Sequence, residues 1–337
     1  MIHNESLTVE VIRGDLVESR HWGAAVVVDA RGDILHAWGN IDCHIYPRSA
    51  IKPLQALPLI ETGAADKFGV SDAEVALACA SHSGELVHTS AVGKWLERIG
   101  LGADDLECGR HLPYDEKRAH ELIRAGQAYS NLNSNCSGKH TGFLTTAIHM
   151  GEPTKGYIGQ EHPVQMHLVR VLSEMSGVDL SSTERGIDGC GIPVIGMPLS
   201  AMALGFARMA DPSGLERQRA NAAKQIVGAM MNHPYNVAGA NRFDTIAMQA
   251  APGRFAVKTG AEAVHGGIIP DLGLGIALKI DDGAKRASDV AMAAILLHLG
   301  VLNESARAVM STFLEMPVYN IPGDRVGCVR MAKDWAG

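Results

Sequence analysis

Along 337 residues there is no run of lysine and arginine that would follow a phosphate backbone, and the formal net charge is -7, which argues against nucleic acid as a partner. No apolar stretch approaches the roughly 20 residues a helix needs to cross a bilayer, so no membrane partner is expected. The first residues, MIHNESLTVEVIRGD, lack the charged start, apolar run and small-residue cleavage site of a secretory signal, and the expected location is cytoplasmic. Cysteines number only six, at 43, 79, 108, 136, 190 and 328. They are too scattered for a disulfide framework and are read as reduced thiols or metal ligands. Nor is there a repeat of fixed period or a low-complexity tract. Aromatic residues make up only 5%, yet 46% hydrophobic and 20% charged residues describe a folded globular chain, long enough for one large domain or two closely packed lobes.

Residues 7 to 14 alternate, and AAVVVDARGDILHAWG reads as two strands joined by a turn at Asp29 to Asp33. Between Arg254 and Ile280 the strand pattern returns in RFAVKTG, AEAVHGGII and GLGIALKI. The middle is mostly helical, with an amphipathic helix over 88–100 that carries Val92, Trp95, Leu96 and Ile99 on one side, and others over 115–127, 139–150, 163–176 and 214–232. Two helices, 287–299 and 304–315, and a short tail close the chain. This order predicts an α/β (α+β) fold working as a single catalytic unit. An antiparallel sheet flanked by helices comes from about 1–60 and 250–337, and a mainly helical lobe from about 61–249.

In YPRSAIKPLQALPLIETG, Ser49 and Lys52 lie three residues apart, so on one helical turn the hydroxyl and the amine can meet. A desolvated lysine that has lost its proton can activate such a serine for acyl transfer without histidine. The same spacing also describes an ordinary helix start. Pro53 fits if the helix begins one residue after Ser49, and Pro58 should kink it. Downstream, Ser81, His82 and Ser83 form a turn, and Lys258, Thr259 and Gly260 end a strand. Together these give the order Ser-x-x-Lys, serine loop, KTG found in serine β-lactamases, although the middle element is not Ser-Asp-Asn. A second cluster joins Cys136, Lys139 and His140 at a helix start to Asp188 and Cys190 in the glycine-rich GIDGCGIP. The thiolates suit zinc; two buried small hydrophobes, or Cys136 as a thiol nucleophile, are the other readings.

The segments YPRSAIKPLQALPLI, CASHSGE, NCSGKHTGFL, GCGIPV and KTGAEAVHGG together resemble the rhizobial-type L-asparaginase family. That resemblance spans nearly the whole chain. It implies a fold related to serine β-lactamases and glutaminases, a homodimer, and hydrolysis of the small-molecule substrate L-asparagine to L-aspartate and ammonia. It also implies two catalytic Ser-Lys tandems, Ser49 with Lys52 and Ser81 with Lys258, a zinc site of Cys136, Lys139 and Cys190, and a substrate pocket lined by Arg48, Asn135, His140 and Asp188. The roles of His82 and Ser83 stay open. The expected route is covalent: Ser49 attacks, neutral Lys52 takes its proton, and Ser81 with Lys258 delivers protons to the leaving ammonia, with Ser81 the alternative serine to carry the acyl group. Lys139 can ligate a metal only when neutral, and two thiolates weaken zinc as a Lewis acid, so positioning of substrate is favoured over activation of water. A glutaminase or other β-lactamase-like serine amidohydrolase, a thiol amidase at Cys136, and a zinc protein without catalysis are the alternatives.

Overall fold

The computed structural model describes residues 2, 3, 6–333 and 335. Among these, nine strands join one sheet, and the eight longer ones are β1 (Leu7–Arg13), β2 (Leu16–Asp29), β3 (Ile34–Trp38), β4 (Ala256–Thr259), β5 (Val264–Ile269), β6 (Leu274–Ile280), β7 (Glu315–Tyr319) and β8 (Arg325–Met331). Seven run in the spatial order β7-β8-β1-β2-β6-β5-β4, each neighbouring pair antiparallel. β3 pairs antiparallel with the second half of β2, and the two-residue strand Ile2–His3 lies parallel to β3. The hairpin of β2 and β3 turns where Asp29 and Gly32 place it: the Asp29 N–H donates to the Asp33 carbonyl at 3.0 Å, and Asp29 Oδ1 accepts from the Asp33 N–H.

Strand pairing interleaves the two ends of the chain, with β6 beside β2 and β8 beside β1. The fold class is therefore mixed α/β with an antiparallel sheet. β7 and β8 occupy much of the stretch expected to be a short tail. Pro317 is tolerated because β7 is an edge strand, and at Gly327 a Cβ would fall 1.9 Å from the Ile12 carbonyl oxygen, so only glycine fits that pairing. In the sequence these two residues hide the strands.

Five helices bear on the site: α1 (Asp72–Ala78), α2 (Ser137–Met150), α3 (Leu199–Ala210), α4 (Phe243–Ala250) and α5 (Lys285–His298). α3 lies directly on the sheet. A Cβ at Gly275 would come within 2.2 Å of the Ala203 carbonyl and the Ala207 N–H, and one at Gly266 within 2.3 Å of the Phe206 ring. Alternation along β5 then sends His265 to the other side, where its ring meets Phe243 of α4 edge-on at 4.9 Å. With both faces covered, β5 and nearly all of β6 are buried without a break, the reason their sequences read as apolar runs rather than as alternation.

Residues 61–249 are mostly helical, apart from the small hairpin Arg185–Ile187 with Pro193–Ile195 and the two-residue strand Met197–Pro198. Ser49 does not open a continuous helix. Arg48–Ile51 is a 3-10 turn, Lys52–Gln55 follows with Pro53 at its second position, and the run breaks at Ala56 before Leu57–Glu61, just ahead of Pro58. Proline at that second position forfeits no bond, because the first donors of a helix have no internal acceptor.

Candidate active site

Three chain segments converge at one end of the sheet. The Ser49 turn meets the tight connection from β4 to β5 at Gly260, where a Cβ would sit 2.9 Å from the Ala50 nitrogen and 3.1 Å from the Pro47 oxygen. The glycine of KTG thus lets the lysine strand lie against the serine turn. Ser49 and Ser81 line one cleft of about 210 Å³ together with Asn135, Arg242, Thr259 and Glu262. Non-glycine residues in left-handed backbone cluster here: Arg48 at φ 48°, Asn241 at 56°, Glu262 at 55° and Ala263 at 54°. Such conformations cost of order 1 kcal/mol or more each and persist where packing dictates them.

Lys52 is wholly buried, and its amine donates to the Ala80 carbonyl, to Ser81 Oγ at 3.0 Å and to Cys136 Sγ at 3.2 Å. Of the two serines in the cleft, Ser81 is the one it bonds. Lys258, 1% exposed, donates to the Thr259 carbonyl at 2.6 Å and faces the carboxylate of Asp244 at 3.5 Å. Its hydrogen bonds therefore go to Thr259 and Asp244, and Ser81 is joined to Lys52. Burial, helped by the charges of Lys52 and Arg242, pulls the Lys258 amine down to about 8 even though Asp244 opposes the shift.

Asp244 is a lone aspartate in RFDTIAMQA and carries no motif. Buried at 2% exposure, it accepts from the Thr259 N–H with both oxygens and lies 3.5 Å from His265 Nε2. Burial would raise its pKa, but Lys258, His265 and Thr259 outweigh that and hold the carboxyl far below its ordinary value. His82, also without a role from sequence, is a staple. Its Nδ1 accepts from the Gly84 N–H at 3.1 Å, which leaves Nε2 to donate to Ser137 Oγ at 2.9 Å, and the His82 N–H bonds the Asn135 carbonyl. The Ser81 loop is thereby tied to the first turn of α2. Ser83 donates to the Ala238 carbonyl at 2.8 Å and so has a structural bond of its own.

The sulfur cluster lies next to Lys52 and outside the residues lining the cleft. Cys136 and Cys190 are buried and share a hydrogen bond that draws the Cys136 thiol well below its ordinary value and pushes Cys190 up. Lys139 donates to Cys190 Sγ at 3.1 Å. Burial would lower its pKa, but the sulfurs of Cys190 and Cys136 and the charge of Asp188 raise it instead. Among the described residues no group of three His, Cys, Asp or Glu side chains could hold a metal ion. As donor types, two adjacent sulfurs with one amine do fit zinc, provided Lys139 gives up its proton.

The expected pocket residues separate. Asn135 lines the serine cleft. Arg48 and Asp188 spend their charges on each other at 2.8 Å and line a different, smaller crevice. His140 is fully buried; its Nδ1 accepts from the Tyr157 hydroxyl at 2.8 Å, which itself accepts from the Glu107 N–H, and its Nε2 has no partner among the described residues. No helix among the described residues is long and apolar enough to cross a membrane.

A family model described as L-asparaginase II matches residues 9–331. A search of curated proteins by sequence gives no match. Among solved structures, a β-lactamase from Mycobacterium bovis is 14% identical, with a TM-score of 0.41 and 86% of this chain and 94% of that chain covered. A putative β-lactamase from Bacteroides dorei is also 14% identical, with a TM-score of 0.40 and coverage of 77% and 84%. A protein described as Mglu, in its tris and glutamate form, is 12% identical, with a TM-score of 0.41 and coverage of 83% and 59%.

Proposed function

Because the chain belongs to the L-asparaginase II family, which makes it an amidohydrolase, we propose that it hydrolyses the side-chain amide of L-asparagine through a serine activated by lysine, as in the rhizobial-type enzymes it resembles. The observation that carries the chemistry is the 3.0 Å contact of a fully buried Lys52 amine with Ser81 Oγ, in a cleft that Ser49 also lines. Lys52 acts in its neutral form, one of its three N–H bonds having been given up with its proton; Ser49 Oγ then adds to the amide carbon, and the serine's proton goes to that neutral amine. The pair of electrons displaced onto the amide oxygen is held by the Ser49 N–H, in the first turn of a 3-10 helix where no internal acceptor exists, and by the Ala261 N–H on the same cleft. Collapse of this adduct expels ammonia, which takes the proton that Lys52 passes through Ser81. Lys258, with an amine poised near neutrality, sets the charge of that relay. Water then adds to the acyl-serine ester, gives its proton back along the same route, and releases L-aspartate.

Asn135 is assigned to direct contact with the substrate. Arg48 and Asp188 act as a pre-formed pair, and His140 as the buried neighbour of Lys139. A zinc ion held by Cys136, Cys190 and Lys139 would supply a fixed positive charge that orients substrate. The working unit is proposed to be a cytoplasmic homodimer, on the strength of the family resemblance.

Ammonia release from L-asparagine and L-glutamine, measured side by side for wild type and Ser49→Ala, tests the reading. Asparagine turnover that disappears in the variant is expected. Equal turnover of glutamine would move the assignment to a glutaminase, and undiminished turnover in Ser49→Ala would remove Ser49 from the mechanism.

A further inference from the structure

An α-amino acid presents one anion and one cation beside its side chain, and a site that tells it from a simple amide must offer one group of each sign. Most charges near the serines are already committed. Lys285 on the lining is paired with Asp289, Arg48 with Asp188, and Lys258 with Asp244, while Lys52 is spent on Ala80, Ser81 and Cys136. Two remain. The guanidinium of Arg242, a half-buried residue, makes no hydrogen bond or ion pair among the described residues, and the carboxylate of Glu262 likewise has none. Both line the cleft that holds Ser49 and Ser81.

The backbone holds both in place at a cost. Asn241, adjacent to Arg242, has φ 56°, and Glu262 itself has φ 55°. A turn at 260–263 with no task beyond joining β4 to β5 would place glycine in such positions; glutamate there forgoes that ease and gains a charged side chain at the cleft. The Glu262 carbonyl is fixed by a 2.8 Å bond from Lys279, and its carboxylate lies over Gly283, where a Cβ would come within 2.7 Å of Oε2. We propose that this cleft recognises the substrate as a zwitterion, with the Arg242 guanidinium taking the α-carboxylate in a forked pair and the Glu262 carboxylate taking the α-ammonium. The inference rests on the asparaginase reading and adds to it the residues that make the substrate an amino acid.

The test uses substrate analogues trimmed one charge at a time. Succinamate is asparagine without the amine, and 3-aminopropanamide is asparagine without the carboxylate. Glu262→Gln should lower kcat/KM for asparagine roughly ten- to hundredfold, chiefly through KM, and change that for succinamate less than about threefold. Arg242→Gln should do the same for asparagine and spare 3-aminopropanamide. Where an analogue is bound but not turned over, its inhibition constant against asparagine is compared instead. Variants that lose asparagine and the trimmed analogue equally would overturn the proposal. So would charge-selective losses at Arg48→Gln and Asp188→Asn with none at Arg242 and Glu262. A wild type that releases no ammonia from asparagine fails the parent reading separately.

Discussion

Replacing Asp244 with asparagine removes the one anion facing the buried Lys258 amine and leaves the shape of the site nearly unchanged. The lysine is already held at about 8, against an ordinary value of 10.5, a gap corresponding to roughly 3 kcal/mol between its charged and neutral forms. In the variant the amine falls further and sheds its proton, so the lysine's share of the loss is capped at about 1.4 kcal/mol for each pH unit below 8. Asparagine keeps one acceptor for the Thr259 N–H and gives up the second, which adds about 1 kcal/mol. The expected destabilisation is thus roughly 2 to 3 kcal/mol near pH 7. A lysine whose folded pKa lies below its unfolded one binds fewer protons when folded, so wild-type stability climbs between about 8 and 10.5. In Asp244→Asn that climb begins at lower pH. By about pH 9.5 the amine is neutral in both proteins and the difference should shrink to about 1 kcal/mol. Urea unfolding at the two pH values reads this directly, and the acid limb of kcat/KM should move below 8 in parallel. The same loss at both pH values, with an unmoved limb, would refute the assignment of Asp244 as the partner that sets Lys258.

Gly260→Ala drives a Cβ to 2.9 Å from the Ala50 backbone, and kcat should fall at least tenfold at a stability cost of about 1–3 kcal/mol, checked by steady-state kinetics and thermal unfolding. His82→Ala leaves Ser137 Oγ and the Gly84 N–H without their buried partner, and a loss of about 2–4 kcal/mol is expected in urea unfolding. Cys190→Ser should lower the metal content found by elemental analysis after zinc loading, and wild-type binding should weaken as pH falls because thiolates are the ligands. Unchanged metal content would dismiss the Cys136, Lys139 and Cys190 site.

Strands β2 and β3 and those from Ala256 to Ile280 were legible because their turns carry Asp29, Gly32, Gly260 and Gly273 and their apolar runs are bounded. Ser49, Ser81, Lys52 and Lys258 were legible as motif fragments, and the structure brings the two serines into one cleft. The pairing was not legible, since Lys52 reaches Ser81 across 29 positions by virtue of how α1 packs, a relation no local spacing encodes. Gly138 shows the reason: a Cβ there would fall 2.3 Å from the Leu77 carbonyl, so α1 and α2 lie close enough to set Ser81 and Cys136 on either side of one amine. Asp244, Arg242 and Glu262 left no trace in the sequence because single charged residues become a site only when distant segments converge.

The covalent claim is tested most directly by acid-quenching the enzyme during turnover of L-asparagine and mapping the modified peptide by mass spectrometry. A β-aspartyl ester on the peptide that contains Ser49, absent in Ser49→Ala, is the predicted result. An adduct on Cys136, or no adduct on any peptide while ammonia release persists in Ser49→Ala, would contradict it.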